Sequence, residues 1–266
     1  MKKSVSNIYI ILIFLFLYLP ILVFIFFSFN EANSRSVFTG FSLQWYQELF
    51  EKKDIMRALG NSLLVAAISS VAATVIGVIG ATAIVNMKKR ARAAVMNITY
   101  LPIINPEIVT GIALMLLFTF IAGLFHLELG MWSVTIAHIT FSTPYVVLNV
   151  LPKLRQADAS LFHAAQDLGC TPMQSFFKVI LPEIMPGIMS GMLMAFTLSF
   201  DDFIISHFTS GSTFQTLPIA IYAMTKRKVK PYLNALFALI FVVVLVLLVL
   251  MNLKSIREAK TKERNL

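Results

Sequence analysis

A run of about 20 consecutive apolar residues is long enough to cross a bilayer and suits few other folds. This chain opens with such a run, Ile8 to Phe29, behind Lys2 and Lys3. The start resembles a secretion signal, but the run is too long for a signal's core. No small-x-small cleavage site follows it at Phe27-Ser28-Phe29-Asn30. It reads as an uncleaved first span with the N-terminus inside. Further apolar stretches lie at roughly 62–85, 98–122, 131–151, 184–205 and 233–253. Hydrocarbon offers no water to satisfy backbone groups, so spans of this length are expected to be helices. The expected fold is all-α, a polytopic membrane protein with six transmembrane helices in one domain over residues 1–266, both termini cytoplasmic.

Composition excludes the main soluble alternatives. At 58% hydrophobic and 13% charged, the chain is too apolar for an ordinary soluble domain. A net charge of +9 could suggest nucleic acid, but the Lys and Arg residues sit in short patches beside apolar runs. That is the positive-inside arrangement, so membrane lipid is the expected partner and nucleic acid is not. Of the Lys and Arg residues, 14 fall in segments expected inside and 8 outside, the bias being diluted by Lys226-Arg227-Lys228-Val229-Lys230. Cys170 is the only cysteine, which leaves no internal disulfide. His126, His138, His163 and His207 fall on separate segments, so no metal site is expected.

Polar residues within the spans are the better guide to function, because charge in hydrocarbon is costly and marks a pathway or a partner. The third expected span holds Pro102 and Pro106 beside Glu107, which predicts a bend with a carboxylate near mid-membrane. Asp201 and Asp202 follow Ser199 at the outer end of the fifth. As neighbours on a helix they point different ways. One is expected to face a channel, the other to hold the loop, for instance through Lys226, Arg227 or Lys228. Two carboxylates there would make a negative mouth suited to a cationic solute. In the external segment 30–60, Trp45 and Tyr46 suit the interfacial aromatic belt, and an aromatic face also attracts ammonium groups. Catalysis has no visible site. The chain has no nucleophile motif and no phosphate-binding loop, and His138 with Ser142, one helical turn apart, lacks an orienting third group.

The one long segment that does not read as a span is 159–182. Leu161, Phe162, Ala164, Ala165 and Leu168 share one helix face, and Ser160, His163, Gln166 and Asp167 the other. Gly169 offers a left-handed stop. Thr171, Pro172 and Gln174 then have the spacing of a capping box that starts a second helix. The result is a compact knob suited to a groove on a partner.

Ala164-Ala165, Gly169 and Val179-x-Leu181-Pro182 resemble the EAA loop of permease subunits in binding-protein-dependent ABC importers, with His163 at the usual Glu and Val179 at the usual Ile. In that family the loop docks onto a separate ATPase. The resemblance therefore implies ATPase-coupling roles for His163, Ala164, Ala165, Asp167, Gly169, Leu181 and Pro182. ATP and Mg would be bound by a partner ATPase dimer, leaving no cofactor in this chain.

A second resemblance bears on cargo. Ser199-Phe200-Asp201-Asp202-Phe203, Ser206-x-Phe208-Thr209-x-Gly211, Leu217-Pro218, Ile221-Tyr222-x-Met224 and Pro231-x-Leu233-Asn234-Ala235-Leu236 are similar to the C-type permeases of spermidine/putrescine importers. Pro106-Glu107-Ile108 is similar to a Pro-Asp-Ile there. The likeness runs over nearly the whole chain. It implies a type I ABC importer permease of MetI-like architecture in a bacterial cytoplasmic membrane, working by alternating access. The implied partners are a second homologous permease and an external polyamine-binding protein. The implied substrate pathway is Trp45, Glu107, Ser199, Asp201 and Asp202. Competing expectations are a related importer for thiamine or ferric iron, a secondary transporter, which would not need the knob, and an intramembrane enzyme, which should show paired catalytic polar groups at one depth.

Overall fold

The computed structural model describes residues 3–33, 37–226, 230–243 and 245–246. Its elements are α1 (Lys3–Ser28), α2 (Gln44–Glu51), α3 (Lys53–Asn86), α4 (Lys89–Ile104), α5 (Glu107–Phe125), α6 (Met131–Gln156), α7 (Ala159–Asp167), α8 (Pro172–Ser175), α9 (Leu181–Asp201), α10 (Ile204–Thr209) and α11 (Leu217–Thr225). A further apolar helix, α12, covers Tyr232–Val243. Among the described residues the β structure amounts to one isolated bridge, Asn30 to Phe41.

Among the described residues, five helices are long and apolar enough to cross a membrane: Asn7–Ser28, Lys53–Asn86, Glu107–Phe125, Met131–Gln156 and Pro172–Asp201. The stretch expected as a sixth span, 233–253, begins as α12, and most of its second half lies outside the described residues. Two boundaries differ from expectation. The stretch 98–122 is two helices, broken where Asn105 takes extended angles (φ −68°, ψ 140°). A proline pushes the residue before it out of the helical region, and here Pro106 follows. The spanning helix thus starts at Glu107. The fifth span, expected from 184, is continuous with the second helix of the knob. Pro182 supplies no N–H and crowds the carbonyl one turn back, so a helix could end here. Instead the backbone widens into one π-helical turn, Phe176–Ile180, where the Leu181 N–H reaches the Phe176 carbonyl.

The described residues fall into two compact units, one from residues 1–56 and 221–266, the other from Arg57–Ala220. In the first, Phe24 of α1 lies against Phe237 of α12 with ring centroids 5.6 Å apart. Leu49, Leu233 and Leu236 are buried. The loop after α1 is tied by buried Asn30, whose Nδ2 donates to the Val37 carbonyl and whose Oδ1 accepts from the Thr39 amide.

In the second unit, Ala73 and Ala81 of α3, Val146 and Val150 of α6, and Ile184 and Ile188 of α9 form one buried core. Small residues permit this closeness. A Cβ on Gly77 would lie 2.6 Å from Val146 Cγ1, and one on Gly187 only 3.0 Å from the Asn149 carbonyl. Gly80 faces Val147 at an ordinary 3.7 Å, so packing does not require glycine there. Arg92 closes the end of α3 by donating to the carbonyls of Ile84, Val85 and Met87. A smaller core of Phe118, Ala137 and Ile205 joins α5, α6 and α10.

Candidate functional site

The helix breaks at Asn105-Pro106 and at Asp202-Phe203 open onto the same cavity, about 360 Å³ in volume. Glu107 and Thr110 line it from α5, Phe141 and Tyr145 from α6, and Thr197, Asp201, Asp202 and Phe203 from the end of α9 and the link beyond it. Irregular backbone in membrane proteins is tolerated where it lines a cavity, and Pro102, Glu107, Asp202 and Phe203, which flank the two breaks, line this one. Glu107 and Asp201 are exposed. A mid-span acid and a separate outer pair of acids were expected. The three acids instead share one cavity, because α5 starts where α9 ends.

The charge placement runs against helix electrostatics at one of these positions. Glu107 occupies the first turn of α5, where the helix dipole favours a carboxylate. Asp201 is the last residue of α9, where the dipole is already negative and opposes one. A bound cation would offset both the carboxylate and the helix end. Phe141, Tyr145 and Phe203 also line the cavity, and an aromatic ring that presents its face attracts an ammonium group by about 0.5–2 kcal/mol.

Asp202 is differently placed. Its side chain is 6% exposed. Oδ1 accepts from the Ile205 amide at 3.2 Å and Oδ2 from the Ser206 amide at 2.6 Å, capping α10. Its Oδ2 also lies 3.3 Å from His138 Nε2. One of the neighbouring acids thus holds the following chain, as expected, but through His138 and α10. Arg227 and Lys228 lie outside the described residues, and Lys226 sits over the Tyr222 ring at 4.6 Å.

His138 is buried on α6 and is the centre of a polar network that sequence reasoning missed. Nδ1 pairs with Ser199 Oγ at 2.6 Å and Nε2 with Ser206 Oγ at 2.9 Å. Ser199 Oγ in turn lies 2.9 Å from Ser69 Oγ. The network joins α3, α6, α9 and α10. Ser199, expected on the pathway, is buried within this network. Ser142, the neighbour that suggested an enzyme-like pair, has no hydrogen-bond partner for its buried hydroxyl among the described residues. One signal was available in the sequence, because Asp202 three residues before Ile205 has the spacing of a helix N-cap.

Trp45 belongs to the first unit and is not among the residues lining the cavity. Its indole N–H donates to the Asn30 carbonyl at 2.5 Å, and the Tyr46 hydroxyl meets Ser28 Oγ at 2.8 Å.

The knob forms as its spacing predicts. At the end of α7, the Gly169 amide bonds the Gln166 carbonyl and the Cys170 amide the Ala165 carbonyl, with Gly169 at φ +89°. Thr171 and Gln174 cap α8 reciprocally. Asp158, not singled out in the sequence, caps α7 through the Ser160 amide at 2.8 Å. That bond and the Ser160 hydroxyl hold its carboxyl below the usual range. The apolar face is only partly covered. Ala165 is buried, whereas Leu168 is 87% and Met173 67% exposed. His163 is exposed beside Phe162 and borders an apolar groove of about 1000 Å³, shared with Val78, Ile79, Pro172 and Phe176. Leu181 and Pro182 lie in the first turn of α9.

Residues 73–262 match the family described as binding-protein-dependent transport system inner membrane component. The chain is 39% identical over 216 residues to the putrescine transport system permease protein PotI of Escherichia coli (strain K12), covering 80% of this chain and 77% of that one. It is 34% identical over 215 residues to the spermidine/putrescine transport system permease protein PotC of Haemophilus influenzae, covering 81% and 82%. In fold it is similar to a bacterial ABC transporter involved in the import of the acidic polysaccharide alginate, with a TM-score of 0.70 at 15% identity over 94% of this chain and 95% of that one. The alginate transporter in complex with its pentasaccharide-bound periplasmic protein matches with a TM-score of 0.68 at 18% identity, over 92% and 91%.

Proposed function

This chain belongs to the binding-protein-dependent transport system inner membrane component family, and from that premise we propose that it forms half of the translocation pathway of an ATP-driven polyamine importer. The observation that carries the cargo is the convergence of Glu107, Asp201 and Asp202, with three aromatic rings, on one cavity. Relatives at 34–39% identity named for putrescine and spermidine support the same cargo. A polyamine asks for such a wall: carboxylates for the ammonium groups, rings and methylenes for the chain between them.

The remaining parts follow from the type of machine. A second, homologous permease would complete the pathway, and an external binding protein would deliver cargo to it. Two copies of an ATPase would bind ATP and Mg and drive the exchange between outward- and inward-facing states. The knob around His163, Ala164, Ala165, Asp167, Gly169, Leu181 and Pro182 would dock in them, and both termini would lie on that cytoplasmic side. Exposed Leu168 and Met173 offer the apolar contacts for docking. Trp45 is the proposed aromatic contact near the external entrance.

The test is uptake of labelled polyamine by cells carrying the whole importer. Asp201→Asn combined with Glu107→Gln should lower uptake by about a hundredfold, two charge-assisted contacts at roughly tenfold each. Membrane insertion should be unchanged. Undiminished uptake in that double variant would exclude a cation pathway here.

A further inference from the structure

Phe141, Tyr145, Leu148, Pro152 and Arg155 recur every three or four residues along α6 and so share one face of it. Phe141 and Tyr145 line the cavity that holds the acids. Leu148, Pro152 and Arg155 line a second cavity of about 310 Å³ nearer the knob, with Met96 and Tyr100 of α4. Pro102 of α4 borders the first cavity, so the two follow one another along the same pair of helices. From Tyr145 to Arg155 is ten residues of α6, or about 15 Å. Acids stand at one end of this route and a guanidinium at the other.

That guanidinium is uncommitted. Arg155 is exposed and makes no ion pair or hydrogen bond among the described residues, whereas Arg92 is taken up by the carbonyls of Ile84, Val85 and Met87. Lys153, the other basic residue in the last turn of α6, lies beside Gly187 of α9 instead. A helix C-terminus carries roughly half a negative charge and by itself draws cations, a sign that the full positive charge of Arg155 reverses on this face. Resting on the polyamine reading above, we infer that Arg155 is a like-charge barrier on the cytoplasmic leg of the pathway. Cargo released from the acids leaves along α6 past it, and polyamine in the cytoplasm must pass the same charge to return. The barrier is local. Charges farther apart than a Debye length, about 8 Å at physiological ionic strength, are largely screened. Arg155 therefore acts on a cation in the second cavity and not on one held by the acids. Rates fall in both directions, while affinity stays with the acids. Where ATP-driven exchange of conformations sets the turnover, slower passage limits passive return more than import.

The test uses the whole importer reconstituted in vesicles with its ATPase side outward and no nucleotide, so that labelled spermidine added outside enters from the knob side. Arg155→Gln should speed its binding by about tenfold, the effect of one like charge met at close range near a protein surface. Release to the same side should quicken by the same factor. Arg155→Lys, which keeps the charge, should restore the slow rates, and the ratio of Arg155→Gln to wild type should shrink as salt is raised. Lys153→Gln, which removes a charge from the same turn but off this face, should stay within about twofold of wild type. Unchanged rates in Arg155→Gln would overturn the inference and leave Arg155 an interfacial anchor for lipid. An equal gain from Lys153→Gln would also overturn it, because any charge at that end would then serve. So would faster binding without faster release, which would make Arg155 part of the binding site. A wild-type complex that imports spermidine, when neither it nor Arg155→Gln binds spermidine from the knob side, overturns the inference and leaves the cargo reading standing. A wild-type complex that neither imports nor binds spermidine or putrescine overturns both.

Discussion

Ser199 shows how one hydroxyl can matter more than a charge. It bridges Ser69 and His138 between helices more than 60 residues apart in sequence, and all three side chains are buried. Ser199→Ala should destabilise the protein by about 1–3 kcal/mol, because a buried imidazole nitrogen loses its partner. Thermal unfolding in detergent checks this. Asp158 makes a different prediction at the same scale. Its carboxyl, ordinarily near 3.8, is held lower by the Ser160 amide. A depressed folded value means the cap contributes fully above the ordinary value and is lost as pH falls through the lower, folded one. Hydrogen exchange at the Ser160 amide, corrected for intrinsic rate, should therefore quicken as pH drops below about 4, the ordinary range of an Asp side chain. Asp158→Asn should remove that dependence. In the sequence Glu107, Asp201 and Asp202 were legible as charges out of place. That one of them is held from behind was not, because the holder, His138, lies more than 60 residues away and binds through tertiary contact.

At the scale of elements, close approach is the recurring requirement. Gly77→Ala places a methyl 2.6 Å from Val146 Cγ1, a collision that repacking relieves only in part. The expected cost is about 1–3 kcal/mol, read from thermal unfolding, with partial rescue by Val146→Ala. Gly169 faces open space, so its constraint is the backbone alone. Gly169→Ala should cost about 1–2 kcal/mol in the left-handed region and disturb the angle between α7 and α8. The expected readout is transport that falls while ATPase activity of the assembled complex persists. Intact coupling would count against docking through the knob. Turn chemistry made the knob readable in advance, since Gly169, Thr171, Pro172 and Gln174 act on their neighbours in sequence. The start of α5 differs from expectation because hydropathy averages over about 19 residues and does not register one extended residue before a proline, and α9 stops at an extended Asp202 that no proline announces.

For the molecule as a whole, membrane class and helical fold follow from solvent physics and were visible in the long apolar runs. Which helices meet was not visible, since apolar spans carry little to distinguish one neighbour from another. If the chain is one subunit of a motor-driven importer, then reconstituted alone in vesicles it should neither hydrolyse ATP nor accumulate polyamine, and adding its partners should restore both. The continuous helix from Pro172 to Asp201 gives this arrangement its mechanics. Thirty residues at about 1.5 Å each make a rod roughly 45 Å long. One end is seated in the knob and the other carries the acid that borders the cavity, with one widened coil, Phe176–Ile180, and Pro186 along its length. In the proposed importer, a thrust delivered at the near end would arrive at Asp201 as displacement, and the grip on a charged passenger would loosen in the same stroke that moves the shaft.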